Sequence, residues 1–214
     1  ALGYQGARVR IVDERELAFP AWAETRGLGV RVAAGFNLSN DKRGTLGAVF
    51  AHLHEHAPTP VSLIALDAGA PFGVIAVDAD RCTMCLACVG SCPEGALADN
   101  PEKVELRFVE SKCVQCGLCQ KTCPERAITL VPRLNLVAEA KKPVVLNAAE
   151  ILYCTRCSKP LGAKKMIENM AGKLASHSMF ADERAKARIF MCADCRVADL
   201  YSEDKPLDIR DLPR

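Results

Sequence analysis

Eight of the chain's twelve cysteines repeat one spacing within a short stretch. Cys82, Cys85, Cys88 and Cys92 are followed by Pro93; Cys113, Cys116, Cys119 and Cys123 are followed by Pro124. Each run reads C-x2-C-x2-C-x3-C-P, the spacing by which thiolates hold [4Fe–4S] clusters. Three cysteines spaced three residues apart wrap one face of a cubane, so each run must fold as a tight loop around a cofactor. Disulfides would suit a short secreted chain, and nothing here resembles a secretory hydrophobic segment. Zinc sites are built from two separated pairs, not from runs of four with a trailing proline.

The runs sit inside an internal repeat of period 31: Cys82 aligns with Cys113, Glu94 with Glu125, Ala96 with Ala127, Leu97 with Ile128 and Val77 with Phe108. The unit reads strand, cysteine-rich loop, short helix, strand. Its first strands are expected at Gly73–Val77 and 104–109, and 127–131 closes the second unit. Such a repeat implies a pseudo-twofold module with both clusters in a small β-flanked core. Leu86, Val89, Leu97, Val114, Leu118 and Ile128 are the candidate apolar shell.

Residues 71–131 thus resemble a bacterial-type dicluster ferredoxin, with all eight ligand positions matched. The resemblance implies two [4Fe–4S] clusters passing single electrons, with the fourth cysteine of each run ligating the other cluster. Cluster I would then take Cys82, Cys85, Cys88 and Cys123, and cluster II Cys113, Cys116, Cys119 and Cys92. Residues 71–133 hold eight acidic and seven basic side chains, without the acidic excess of many small free ferredoxins. That points to a module embedded in a larger protein or complex. The whole arrangement is similar to multidomain iron–sulfur proteins associated with formate-dehydrogenase-type systems.

Residues 1–70 carry no cysteine. Strands are expected at 7–12, 28–33 and 61–66. A helix interrupted by Pro20 is expected over 14–26, and a second over Lys42–Glu55, capped from 37–40. Leu46, Val49, Phe50 and Leu53 share a helical face. The pattern is βαβα, usually a parallel sheet. Seventy residues are few for such a sheet and the chain starts at Ala1, so the segment reads as a fragment of a larger domain. His52 and His56 sit four apart, but a metal site would need a third ligand, and an exposed helix end explains them better. No G-x-G-x-x-G phosphate loop and no credible nucleophile–base set is legible.

Residues 134–150 read as a linker, with Pro143 and the basic pair Lys141-Lys142. Beyond it, Cys154-x2-Cys157 and Cys192-x2-Cys195 are separated by 34 residues. Two such turns complete a tetrahedral site of four sulfurs, the structural zinc pattern. Zinc is the first expectation; a third iron–sulfur centre or mononuclear iron comes second, and unmetallated thiols third. Segment 159–188 carries seven basic and three acidic side chains, either a docking surface or a solvated helix face, the latter preferred.

The expected fold class is α+β. It comprises an N-terminal α/β segment (1–70), a two-cluster ferredoxin-type module (71–133), the linker, and a small zinc-ribbon-like domain built on the last four cysteines (151–214). Formal charge is only +2 and aromatics are 5%, so neither a nucleic-acid nor a membrane partner is expected. No stretch approaches the ~20 apolar residues of a membrane span. Twelve cysteines with metal-type spacing suggest a reducing, cytoplasmic setting. The expected function is electron transfer to or from a redox enzyme partner. The alternative is a regulatory or structural protein that uses its metals to shape a surface for a protein or nucleic acid.

Overall fold

A computed structural model of the chain describes residue 2, residue 32, residues 34–37 and residues 41–202. The strands expected at 7–12 and 28–33 and the helix over 14–26 lie outside the described residues. The fold is α+β, with a dicluster ferredoxin region and a C-terminal four-cysteine group. It divides into two compact units: residues up to 74 with 109–116 and 130–143, and residues 75–108 with 117–129 and 144 onward.

In the first unit, α1 spans Lys42–Glu55, the range expected. Its cap is Asp41, whose carboxylate accepts from the N–H of Gly44 at 2.8 Å, one residue beyond the stretch expected to supply it. Leu46, Val49, Phe50 and Leu53 are half-buried, and Phe50 meets Phe72 edge-on at 5.6 Å. Strand β1 (Leu63–Ala65) pairs antiparallel with the far end of a later strand, β5 (Ile128–Asn135), setting Leu63 opposite Asn135. The parallel arrangement expected of this segment is therefore not what β1 adopts. Leu66 N–H donates to the Pro132 carbonyl, but proline has no N–H to return the bond, and β1 stops there.

β2 (Gly73–Val77) lies on the other side of β5, giving the order β1-β5-β2. Arg133 N–H donates to Phe72 O and Asp78 N–H to Ala127 O, so this pair is antiparallel too. A short 3-10 helix, Glu110–Lys112, leads into the second cysteine run. Its Glu110 takes a bidentate hydrogen bond from Arg133 (2.6 and 2.8 Å) and another from Asn135 (2.9 Å). Burial works to raise the Glu110 carboxyl, but these donors outweigh it and hold it below the usual range.

The second unit holds α2 (Ala87–Gly90), β3 (Leu97–Asp99), β4 (Glu105–Phe108) and α3 (Leu118–Thr122). β3 and β4 are antiparallel, and β6 (Val144–Ala148) adds to β4 with a bulge at Leu146. The stretch 134–150, expected to link, thus supplies the end of β5 and all of β6. The core follows the repeat: Ile75 with Leu106, Ala96 with Ala127 and Leu97 with Ile128 are all buried, as is Phe108. Leu106 and Phe108 lie two apart on one side of β4, and Ala96 and Ala127 each directly precede a strand.

The remainder of the unit is a hairpin of β7 (Ile151–Tyr153) and β8 (Pro160–Ala163), then α4 (Lys164–Leu174), α5 (Glu183–Arg188) and α6 (Ala193–Tyr201). α4 shows one polar stripe at four-residue spacing, which is one face of a helix. Lys165 Nζ donates to the carbonyls of Ala79 and Asp80 (2.8 and 2.6 Å). Asn169 and Lys173 both donate to Glu125 Oε1 (2.9 and 2.8 Å). Among the described residues no helix is long and apolar enough to cross a membrane.

Candidate metal centres

Both cysteine runs open through a tight turn. In the first, Asp78 accepts from the N–H groups of Asp80 and Arg81, and Cys82 N–H returns to Asp78 O at 2.9 Å. In the second, Cys113 N–H bonds Glu110 O at 3.0 Å, at the end of the 3-10 helix. The loops then repeat an unusual backbone. Met84 (φ 59°) and Leu86 (φ 57°) match Gln115 (φ 54°) and Gly117 (φ 77°), each 31 residues on, and Gly95 (φ 57°) matches Arg126 (φ 51°). Four of these six are not glycine, and left-handed backbone is strained for a side chain. Successive right- and left-handed residues turn their N–H groups into one concavity, a nest for an anionic group. Sulfide and thiolate are such groups, so the strain has a function.

Cys88, buried, lies on α2; Cys82 and Cys92 flank it half-buried, and Cys85 is exposed. Cys119 lies half-buried on α3 and Cys123 ends it, accepting from Ala127 N–H at its Sγ (3.3 Å). Cys113 is buried and Cys116 exposed. The thiols of Cys82, Cys85, Cys88 and Cys123 line one pocket of about 390 Å³, its open mouth included. Cys92, the first run's own fourth cysteine, is not in that lining. The other walls include Val77, Met84, Leu86, Leu106 and Ile128, with Glu125 at the edge. Burial, then the neighbouring thiols of Cys82, Cys119 and Cys85, push the Cys88 thiol up to about 11. A thiol raised as Cys88 is ionises readily only onto a cation, which is what iron provides. Donor set and pocket therefore fit a cluster.

Of the expected apolar shell, Leu97 and Ile128 are buried and Leu86, Val89 and Val114 half-buried. Leu118 is 44% exposed: it stands at the first position of α3, and buried Gly117 takes the inner place.

The last four cysteines come together as expected. Cys154 and Cys157 form a turn after β7; Cys192 caps α6 and Cys195 lies in its first turn. Their ligand atoms all lie within 4.8 Å of one another. Sulfurs about 2.3 Å from one ion define a tetrahedron with edges of roughly 3.8 Å, so one ion fits. Cys192 N–H, foremost, with those of Arg156 and Cys157, lowers Cys154 to about 6. Its hydrogen bond with Cys157, followed by burial, raises Cys195 to about 12. Lys159 and Asp194 tie the two turns by an ion pair of 2.8 Å, which lowers the Asp194 carboxyl and raises the Lys159 ammonium.

The seven cations of 159–188 are all bonded inside the protein. Lys159 pairs with Asp194, Lys164 with Glu150, Lys173 with Glu125, Lys186 with Glu183, and Arg184 and Arg188 with Asp199. Lys165 is the seventh, on the two carbonyls. In α1, the His52 and His56 rings meet at 4.4 Å and His52 Nε2 lies 2.8 Å from Val32 O, with no third metal ligand grouped on them among the described residues.

Two features escaped the sequence reading. Gln115 lies inside the second run with its amide against Cys113; the repeat alignment, which sets it opposite Met84, was the available signal. Arg43 of α1 donates to the carbonyls of Ser111, Pro71 and Cys113 and stacks on Phe72 at 4.0 Å. No local pattern marks that contact, because its acceptors are main chain and distant in sequence.

No curated protein matches the chain. The family model of the 4Fe-4S dicluster domain matches residues 74–124, a stretch that contains all eight cysteines of the two runs, and such a domain implies two [4Fe–4S] clusters.

Proposed function

We propose that this chain relays single electrons through two [4Fe–4S] clusters to or from a redox enzyme, as a protein or subunit of an oxidoreductase system. Cluster I takes Cys82, Cys85, Cys88 and Cys123; cluster II takes Cys113, Cys116, Cys119 and Cys92. The observation that carries this reading is the pocket in which three thiols of one run meet the fourth thiol of the other. When bound, such a cluster gains or loses one electron with little rearrangement of its ligands. The residues hold the thiolates in place, aim N–H groups at sulfur and exclude water with apolar walls. A partner of the formate-dehydrogenase type fits the similarity of the whole arrangement to multidomain iron–sulfur proteins of such systems, and a reducing compartment fits the thiol chemistry.

Cys154, Cys157, Cys192 and Cys195 hold one zinc ion. A third cubane would place each thiolate on a different iron and spread the sulfurs wider than the 4.8 Å found here. Four cysteines leave no open position, so the site is structural. The alternative of a nucleic-acid or regulatory surface rested on the basic segment 159–188. Internal pairing of its seven cations weighs against that reading.

Anaerobic analysis of iron, sulfide and zinc tests the assignment. About eight iron, eight sulfide and one zinc per chain are expected. About four iron would contradict two clusters, and about twelve iron without zinc would contradict the zinc site.

A further inference from the structure

Gln115 breaks the repeat and reaches a ligand sulfur. Its Nε2 donates to Cys113 Sγ at 3.4 Å and to Val74 O at 3.0 Å. With two acceptors on that side, the amide cannot be turned over. Its Oε1 is buried and has no hydrogen-bond partner. A buried acceptor left so is costly. The first run avoids the cost at the equivalent position, where Met84 lines the pocket, 3% exposed, with a thioether that donates nothing. Room for the amide is made by Gly73: a Cβ there would stand 2.6 Å from Gln115 Cδ and 2.7 Å from Nε2. Its repeat counterpart, Val104, carries a side chain. Polar donor and missing side chain occur together, at one run only.

A donor on a ligand sulfur stabilises the more negative, reduced cluster and raises its potential. We propose that Gln115 is a positioning residue that sets the cluster bound by Cys113 at the higher potential, so that the first electron to enter settles there. This rests on the two-cluster reading above. The step balances: one electron leaves the external reductant and the Cys113-bound cluster is reduced by one.

The test is an anaerobic potentiometric titration of the full-length holoprotein followed by EPR, with Gln115→Met copying the first run. Two separate waves are expected in the parent. In the variant the higher wave should move to more negative potential, the lower wave should stay, and the gap should narrow. Unmoved waves, or movement of the lower wave alone, would overturn the proposal. In a second measurement, parent protein carrying 15N at its glutamine side-chain amides, reduced by one electron, should show in pulsed EPR a nitrogen coupling that Gln115→Met lacks, which separates Gln115 from Gln120 beside Cys119. No coupling at one electron would overturn the proposal. A count near four iron would overturn the two-cluster reading itself, and the analysis for iron tells the two failures apart.

Discussion

On the crossed ligation proposed above, Cys92 and Cys123 decide at the scale of single residues how the centres are built. Cys123 closes the pocket of the first run, so Cys123→Ala should bleach the cluster bound by Cys82, Cys85 and Cys88. Cys92→Ala should spare that cluster and damage the one bound by Cys113. Iron should fall from about eight to about four in each variant, and EPR should show that a different signal survives. Glu110 is the residue where pH should matter. Its carboxyl is lowered in the fold, so its contribution is full above the usual carboxylate range and is lost as pH falls through the lowered value. Glu110→Gln should lower the anaerobic thermal midpoint at pH 7, by about 1 kcal/mol of stability for a half-buried bidentate pair. The difference between variant and parent should close as pH falls through that lowered value. A gap that persists in acid would show that charge is not what Glu110 contributes. The two cysteine runs were legible because their spacing marks them. Gln115 and Arg43 were not, since what matters in them is the sulfur or carbonyl they reach, and only the folded chain brings those close.

Elements tell a different story. The helix over Lys42–Glu55 was legible because its apolar face and its N-terminal polar residues agree. The strands Gly73–Val77 and Ile128–Asn135 were legible through the repeat. The role of 134–150 was hidden: Pro132, Pro143 and two lysines look like a loop, yet Pro132 sits in β5 where β1 ends, so its missing N–H costs no ladder bond along β1. β6 was hidden too, because Val144 and Val145 are about half exposed and strand pairing, not burial, holds them. The stripe Lys165, Asn169 and Lys173 of α4 holds the loop before Cys82 and the residue two beyond Cys123. Asn169→Ala with Lys173→Ala should therefore speed hydrogen exchange around residues 123–127 while the Cys154 group keeps its metal. Unchanged exchange there would mean that the stripe is ornamental.

Across the whole molecule, the two kinds of centre have separate duties. The cluster pocket is walled by apolar side chains and cysteines, suited to a group whose charge changes. The C-terminal four-cysteine group is small, closed by two turns and pinned by Lys159 and Asp194, suited to an ion whose charge does not. Cys157→Ala should remove the ion proposed for that site, loosen the packing of α4 and α6 and leave iron near eight; loss of all iron with that ion would mean that the centres are not independent. The central claim is that the clusters carry electrons. Its most direct test is an anaerobic coulometric titration of the intact, metal-analysed protein. The account predicts two reversible one-electron equivalents per chain. Fully loaded clusters that take up no electron reversibly would contradict it.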